Sequence, residues 1–273
     1  MPGTEDGFGG VLRTLQPLEH LFVIAAMSSL RLLAAFALMP PMGQKFLHGL
    51  VRNGIVALLA IYVAFGAPYD VIEHFTVVDF IIHGFKEVLI GLLLGFVGAQ
   101  VFWIAECVGA LIDAHSGYNN AQMTSPLTGT PSTPVSDLLL QLVSAVFFSV
   151  GGMLVFLEAV FASYRLWPVG APAPQLAWLT DAFVIDQVGI MMESIVKFAA
   201  PLVIVLMLIE LGFGLVTRGA PRLEVNTLAQ PVKGAVTVLM LALLSVTFIP
   251  QVRSMMTPVG LLESIVSRLG KSR

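Results

Sequence analysis

The residues able to do chemistry are few, and most of them sit in or beside apolar runs. Arg31, Lys86 with Glu87, Glu106 with Asp113, and Glu210 are the ionisable groups placed this way. A charge at membrane depth costs about 3 kcal/mol or more unless it faces protein or water and finds a partner. Two roles fit such residues: a buried ion pair that fixes helix register, or a proton relay or ion pathway. Glu106 and Asp113 are seven apart and therefore share one helical face. A carboxylate can pair with Arg31 across helices, and spacing alone does not choose which.

Other chemistry has little material. The group Asp70, Glu73, His74, Asp79 and His83 has metal-capable types but irregular spacing, which reads as a solvated acidic connector rather than a metal site. Tyr69-Asp70 with Asp113 is the nearest approach to an intramembrane protease pair, but Asp70 lies outside its apolar run and Asp113 has no GxGD setting. GxSxG, HExxH, P-loop and GxGxxG patterns are absent, so no catalytic, cofactor-binding or metal residue is assigned and no cofactor is expected. Cys107 is the single cysteine, and the 12 methionines read as gap fillers in apolar packing. No basic stripe exists to follow a phosphate backbone, which excludes nucleic acid as a partner.

The elements that carry these residues are apolar. Of 273 residues 57% are hydrophobic and 11% charged, mean hydropathy is +0.90 and net charge is −3. Soluble domains carry roughly 25% charged residues, so lipid or equally apolar protein is the expected surrounding. Six runs approach the length of about 20 residues that crosses a hydrocarbon core: 21–40, 53–69, 88–105, 138–157, 198–217 and 234–252. Lys86-Glu87 opens the third run on this reading, and Pro201 falls near the start of the fifth. The expected fold is all-α, a polytopic integral membrane protein of about six hydrophobic helices. The first run has acidic flanks and no small-residue cleavage pattern, so it reads as a retained helix and not an export signal. With single crossings, eight Lys and Arg lie on the side of the termini against five opposite; this leaves orientation open.

Glycines at 91, 95 and 98, at 151 and 152, and at 212 and 214 point to close helix packing. The connection 114–136 carries no charge, and 15 of its 23 residues are Gly, Pro, Ser, Thr or Asn, which makes it turn-rich. It reads either as a solvated loop or as a lid that lies in an aqueous constriction without attracting ions. Tyr164 to Pro168 reads as an interfacial anchor. Residues 217–226, with Arg218, Arg222 and Glu224, form a charged hairpin tip suited to partners or lipid headgroups.

Specific strings narrow the choice. Lys86-Glu87 with Ile90 to Phe96, Gly109 to Asp113 with Gly117, Ser163 to Pro168, and the stretch 201–233 with Glu210, Gly214-Leu215, Arg218, Pro221, Asn226 and Pro231 to Lys233 stand in one order. Together, over about residues 17–255, they resemble the T subunit of the type III secretion export apparatus. More distantly they resemble the flagellar biosynthesis R protein, and the Tyr-Arg-Leu-Trp-Pro string favours the injectisome branch.

The resemblance implies a non-enzymatic export-gate subunit that joins R and S subunits in a pore for unfolded polypeptides at the bacterial inner membrane. It implies an R-like four-helix unit (17–168), a connector (169–197), an S-like helical hairpin (198–255) and a C-terminal tail (256–273), with helices that need not cross lipid as a simple bundle. It places a plug in the polar loop, with Asp113, Gly117, Asn119, Asn120, Met123 and Pro126 as its candidates. The hairpin tip, with Arg218, Pro221, Arg222, Asn226, Pro231 and Lys233, would face the cytoplasm and a U-type switch protein. Arg31, Lys86, Glu87, Glu106 and Glu210 remain the candidates for intramembrane polar and assembly roles. The competing reading is a small-solute or proton-coupled transporter, suggested by those same charges, although no internal repeat supports it.

Overall fold

The structure is a computed structural model that describes residues 5–43, 47–67, 75–118, 123–125, 131–172, 184–219 and 225–255. Seven α-helices follow one another among them: α1 (Glu5–Leu38), α2 (Gly49–Phe65), α3 (Val77–Ser116), α4 (Pro134–Ser149), α5 (Gly152–Leu166), α6 (Ile185–Gly219) and α7 (Val225–Met255). A short 3-10 turn covers Pro40–Met42, and Met123–Thr124 pairs antiparallel with Pro131–Ser132. The fold is all-α, as its composition requires: a helix satisfies its backbone groups internally where water is absent.

Every apolar run is helical, but not every run is a span. The segments Leu18–Leu38, Val77–Ser116 and Ile185–Gly219 are long and apolar enough to cross a membrane, and α4 with α5 together make a fourth candidate. Among the described residues, three or four candidate spans thus stand where single crossings would give six, while the expected apolar helices are present, Gly49–Phe65 and Ala229–Leu244 being shorter ones. The run at 138–157 breaks where Gly151 adopts φ 77°, a left-handed conformation glycine takes without steric cost, and α4 and α5 diverge by 70° there. Gly151 is thus a helix breaker rather than a packing residue. α2 has only 17 residues.

Helix ends also differ from the ends of charge-free runs. α3 has 40 residues, about 60 Å at 1.5 Å each, and begins at Val77, so Lys86 and Glu87 lie inside it rather than opening it. α6 begins at Ile185, within the expected connector, which places Pro201 in the helix interior. α7 likewise continues through Pro231 and Pro250. Helices surrounded by lipid or protein tolerate such prolines because the freed carbonyls find other partners.

The chain forms two compact units. One comprises Met1–Gly98 with Leu157–Ala177, the other Ala99–Phe156 with Trp178–Arg273. In the first unit α1 packs against α2, and Ile24, Ala25 and Ala64 form a buried cluster lined by Leu21, Val23, Ala67, Phe75 and Phe80. α3 crosses α1 very closely: a Cβ at Gly91 would lie 2.8 Å from Ala34 Cβ, and one at Gly95 would strike the Ala35 backbone. The glycine step therefore sets this crossing, as its spacing suggests. In the second unit Gly109 of α3 lies against the Val135–Ser136 backbone, Phe102 meets Phe147 edge to face at 5.1 Å, and α6 packs along α7.

Candidate functional site

In the first unit the charged residues converge. Glu87 stands one helical turn before Gly91 on the same face of α3, so the close crossing that Gly91 permits brings the carboxylate onto Arg31 of α1. Arg31 donates from Nε to Glu87 Oε2 at 2.7 Å and from an Nη to Oε1 at 2.9 Å, a bidentate pair. Arg31 and Glu87 are fully buried. Lys86 Nζ also contacts the same carboxylate at 3.0 Å, so one anion faces two cations.

The residual positive charge is met by the end of α5. Trp167 O accepts from Arg31 at 2.9 Å, while the carbonyls of Pro168, Val169 and Ala171 accept from Lys86 Nζ at 2.8–3.0 Å. A helix C-terminus presents unpaired carbonyls and favours cations. Ser163 Oγ accepts a fourth guanidinium bond at 2.9 Å, and the Tyr164 ring lies 4.1 Å from the guanidinium carbon, a cation–π stack. Tyr164 Oη in turn donates to Ser28 O at 2.6 Å. The Tyr164 to Pro168 string therefore also serves as a cation cradle: the Tyr164 ring and the Trp167 and Pro168 carbonyls face Arg31 and Lys86.

In the second unit Asp113 closes the root of the polar loop. It is buried on α3, and its Oδ2 accepts from the backbone amides of Val135 at 3.0 Å and Ser136 at 3.1 Å. Thr133 precedes α4 without a side-chain cap bond, so the cap comes from another helix, at the end where an anion is favoured. Ser136 Oγ donates back to Glu106 O at 3.0 Å. Glu106 thus contributes a backbone acceptor rather than a paired carboxylate. Farther in, Asp137 accepts from Ser125 Oγ and from Gln141 Nε2, each at 2.5 Å. Both stems of the loop are held while the sequence between them carries no charge.

Among the hairpin residues, Glu210 and Lys233 pair across α6 and α7 at 3.3 Å, with the glutamate side chain 62% exposed. Arg218 lies in the last turn of α6 and Asn226 in the first turn of α7; Pro231 and Lys233 follow within α7. Pro221 and Arg222 lie outside the described residues, as do Asn119, Asn120 and Pro126 of the loop. Met123 lies in the short antiparallel pairing, and Gly117 follows α3 with φ 88°.

The sequence reading missed Ser163, the carbonyls after α5, Ser125, Asp137 and Gln141. Asp137 with Gln141 has i, i+4 spacing in a first helical turn, a usable signal; the carbonyls have none, since every residue carries one. Asp79 accepts from the Thr76 amide at 2.8 Å, before α3, and His83 Nδ1 meets Asp79 O. Asp70, Glu73 and His74 lie outside the described residues. No group of three metal-capable residues occurs among the described ones.

The geometry uses Arg31, Lys86, Glu87 and Asp113 in packing and capping, which does not favour the transporter reading. Known proteins point the same way. Residues 22–259 match the family described as bacterial export proteins, family 1. The chain is 36% identical to Yop proteins translocation protein T of Yersinia pestis, covering 78% of this chain and 82% of that protein. It is 28% identical to the surface presentation of antigens protein SpaR of Salmonella typhimurium, over 83% of this chain and 84% of that one. The flagellar biosynthetic protein FliR of Bacillus subtilis is 26% identical over 84% and 89% respectively. The chain belongs to family 1 of the bacterial export proteins and is a membrane-located subunit of a type III secretion export apparatus.

Proposed function

We propose that this chain is the gate-forming member of that apparatus. It assembles with R and S subunits and a U-type switch protein in the bacterial inner membrane, where its uncharged loop 114–136 closes the entry pore for unfolded polypeptides. Its role is structural rather than enzymatic. The R-like unit covers 17–168 and the S-like hairpin 198–255, with the hairpin tip toward the cytoplasm. The observation that carries the reading is the loop root. Asp113 holds the start of α4 against the end of α3, so both stems are held while the residues between them carry no charge and are mostly turn-forming. A neutral segment of this kind fills an aqueous constriction without offering ions a site, and a held root lets it return after displacement.

Removal of residues 119–130 tests this directly. In cells carrying the assembled apparatus in its non-secreting state, the deletion is expected to admit a small membrane-impermeant dye that the wild-type excludes. Unchanged dye uptake, with partner subunits still co-purifying, removes the closure role.

A further inference from the structure

The root of the loop touches α7 through two glycines. A Cβ at Gly117 would run into Oε1 and Nε2 of Gln230, and Gly117 already needs its left-handed φ of 88°. Gly234, buried in α7, receives Tyr118: a Cβ there would lie 2.5 Å from Tyr118 Oη and 3.5 Å from its Cζ. Each element thus supplies a glycine notch and a side chain that occupies the notch of the other. Around them Tyr118, Gln230, Pro231, Gly234, Ala235 and Val238 line an open cleft of about 490 Å³, so the contact has room to separate. Pro231 stands between the two contact points on α7. It has no amide hydrogen, which leaves the Thr227 carbonyl without its helical donor and makes this a turn where α7 bends cheaply.

We propose that Tyr118 and Gln230 latch the root of the loop to α7, so that a shift of α7 at its Pro231 turn releases the stem from α7 and leaves it to the bonds around Asp113. The latch couples the hairpin to the loop. It rests on the reading of the loop as the closing element, and it adds the element that controls closure. The contact is one of shape: a hydroxyl fills a space that only glycine leaves, and the notch disappears with any larger residue.

The shape match provides the test. Gly234→Ala sets a methyl against Tyr118 Oη and forces the hydroxyl to shift out of its notch; in the double variant with Tyr118→Phe the nearest atom of the ring is Cζ, at ordinary contact distance. Overpacking by one methyl in a closed contact shifts such an equilibrium roughly tenfold. Dye uptake in the non-secreting state should therefore rise roughly tenfold in Gly234→Ala and return close to wild-type in Gly234→Ala with Tyr118→Phe. Tyr118→Ala, which only removes atoms, should raise uptake as well and decides the matter if Gly234→Ala does not assemble. Wild-type uptake in assembled Tyr118→Ala, or a failure of the double variant to restore closure, overturns the latch. The deletion of 119–130 separates the two readings: leakage there with tight latch variants removes the latch alone, whereas no leakage there removes the gate and the latch together.

Discussion

Two ion pairs in apolar helices look alike in the sequence and have opposite surroundings in the fold. Arg31 and Glu87 are fully buried, bidentate, and ringed by carbonyls and an aromatic face. Glu210 and Lys233 meet at 3.3 Å with the glutamate mostly exposed. The glycines nearby repeat the contrast. Gly91 and Gly95 are filled by the α1 backbone, while Cβ atoms at Gly212 and Gly214 would meet nothing within 4 Å. The same devices, a charge pair and small residues on an apolar helix, thus close a crossing in one place and leave a surface in the other. The window of α6 that qualifies as a span is only 17% buried, against 67% for α3. A subunit that assembles with others needs both: interactions completed inside the chain, and interactions left for lipid and neighbouring helices.

The largest break in this comparison is expected at Glu87. Glu87→Ala leaves Arg31 and Lys86 buried side by side with no anion between them, whereas Arg31→Met leaves Glu87 still paired with Lys86. Breaking a buried pair costs about 3–5 kcal/mol, with the upper end expected where like charges remain. Thermal unfolding in detergent should place Glu87→Ala well below Arg31→Met, and Arg31→Met below wild-type. Equal midpoints for the two variants would show that Lys86 does not share the carboxylate.

A smaller effect is expected at the loop root. Asp113→Ala removes the anion that caps two amides at the start of α4, and a lost cap costs about 1–2 kcal/mol. Asp113→Asn keeps an oxygen acceptor and should retain about half of that. Because α4 starts at the loop stem, hydrogen exchange should rise first at Val135 and Ser136, with the Arg31 cluster unchanged. Exchange that rises throughout the chain would mean that Asp113 supports the whole fold and not the loop root alone.

How much of this was legible follows from what each signal measures. Apolar runs locate the helices because lipid and core both select them, and the small-residue spacing of Gly91 and Gly95 marks the crossing. Helix ends were misplaced because a charge ends a run of hydropathy, not a ladder of hydrogen bonds. α3 begins where Asp79 holds the Thr76 amide, well before Lys86, and the carbonyls after α5 then absorb the charge of Lys86 inside the protein. Arg31 was recognised as a residue in need of a partner, but choosing Glu87 requires the crossing geometry, which is a property of two helices together. In the loop, Asp113 was singled out by sequence while its role as a cap was not, because the amides it serves stand more than twenty positions away. Gly212 and Gly214 show the limit of small-residue spacing: it marks a surface fit for close approach without saying whether this chain supplies the other side.

The smallest effect sharpens the comparison most. Glu210→Gln keeps size and removes charge from a pair whose glutamate is mostly exposed while Lys233 is buried, so its cost lies above the roughly 0–1 kcal/mol of a fully exposed pair and below the roughly 3–5 kcal/mol of a fully buried one. The unfolding midpoint of the isolated chain should therefore move less than in Glu87→Ala. Gly212→Leu belongs beside it, since a Cβ added there meets nothing within 4 Å. Stability should hold there, while Gly95→Leu, forced into the Ala35 backbone, should fail to fold. If Gly212 faces a neighbouring subunit in the assembly, co-purification of partners falls in Gly212→Leu although the chain itself is intact. If it faces lipid, both stability and co-purification persist, because an extra leucine is as well solvated by lipid tails as by protein. The pair of measurements separates a face completed by a partner from one completed by the membrane, and a Gly212→Leu chain that unfolds on its own would remove the contrast between α3 and α6.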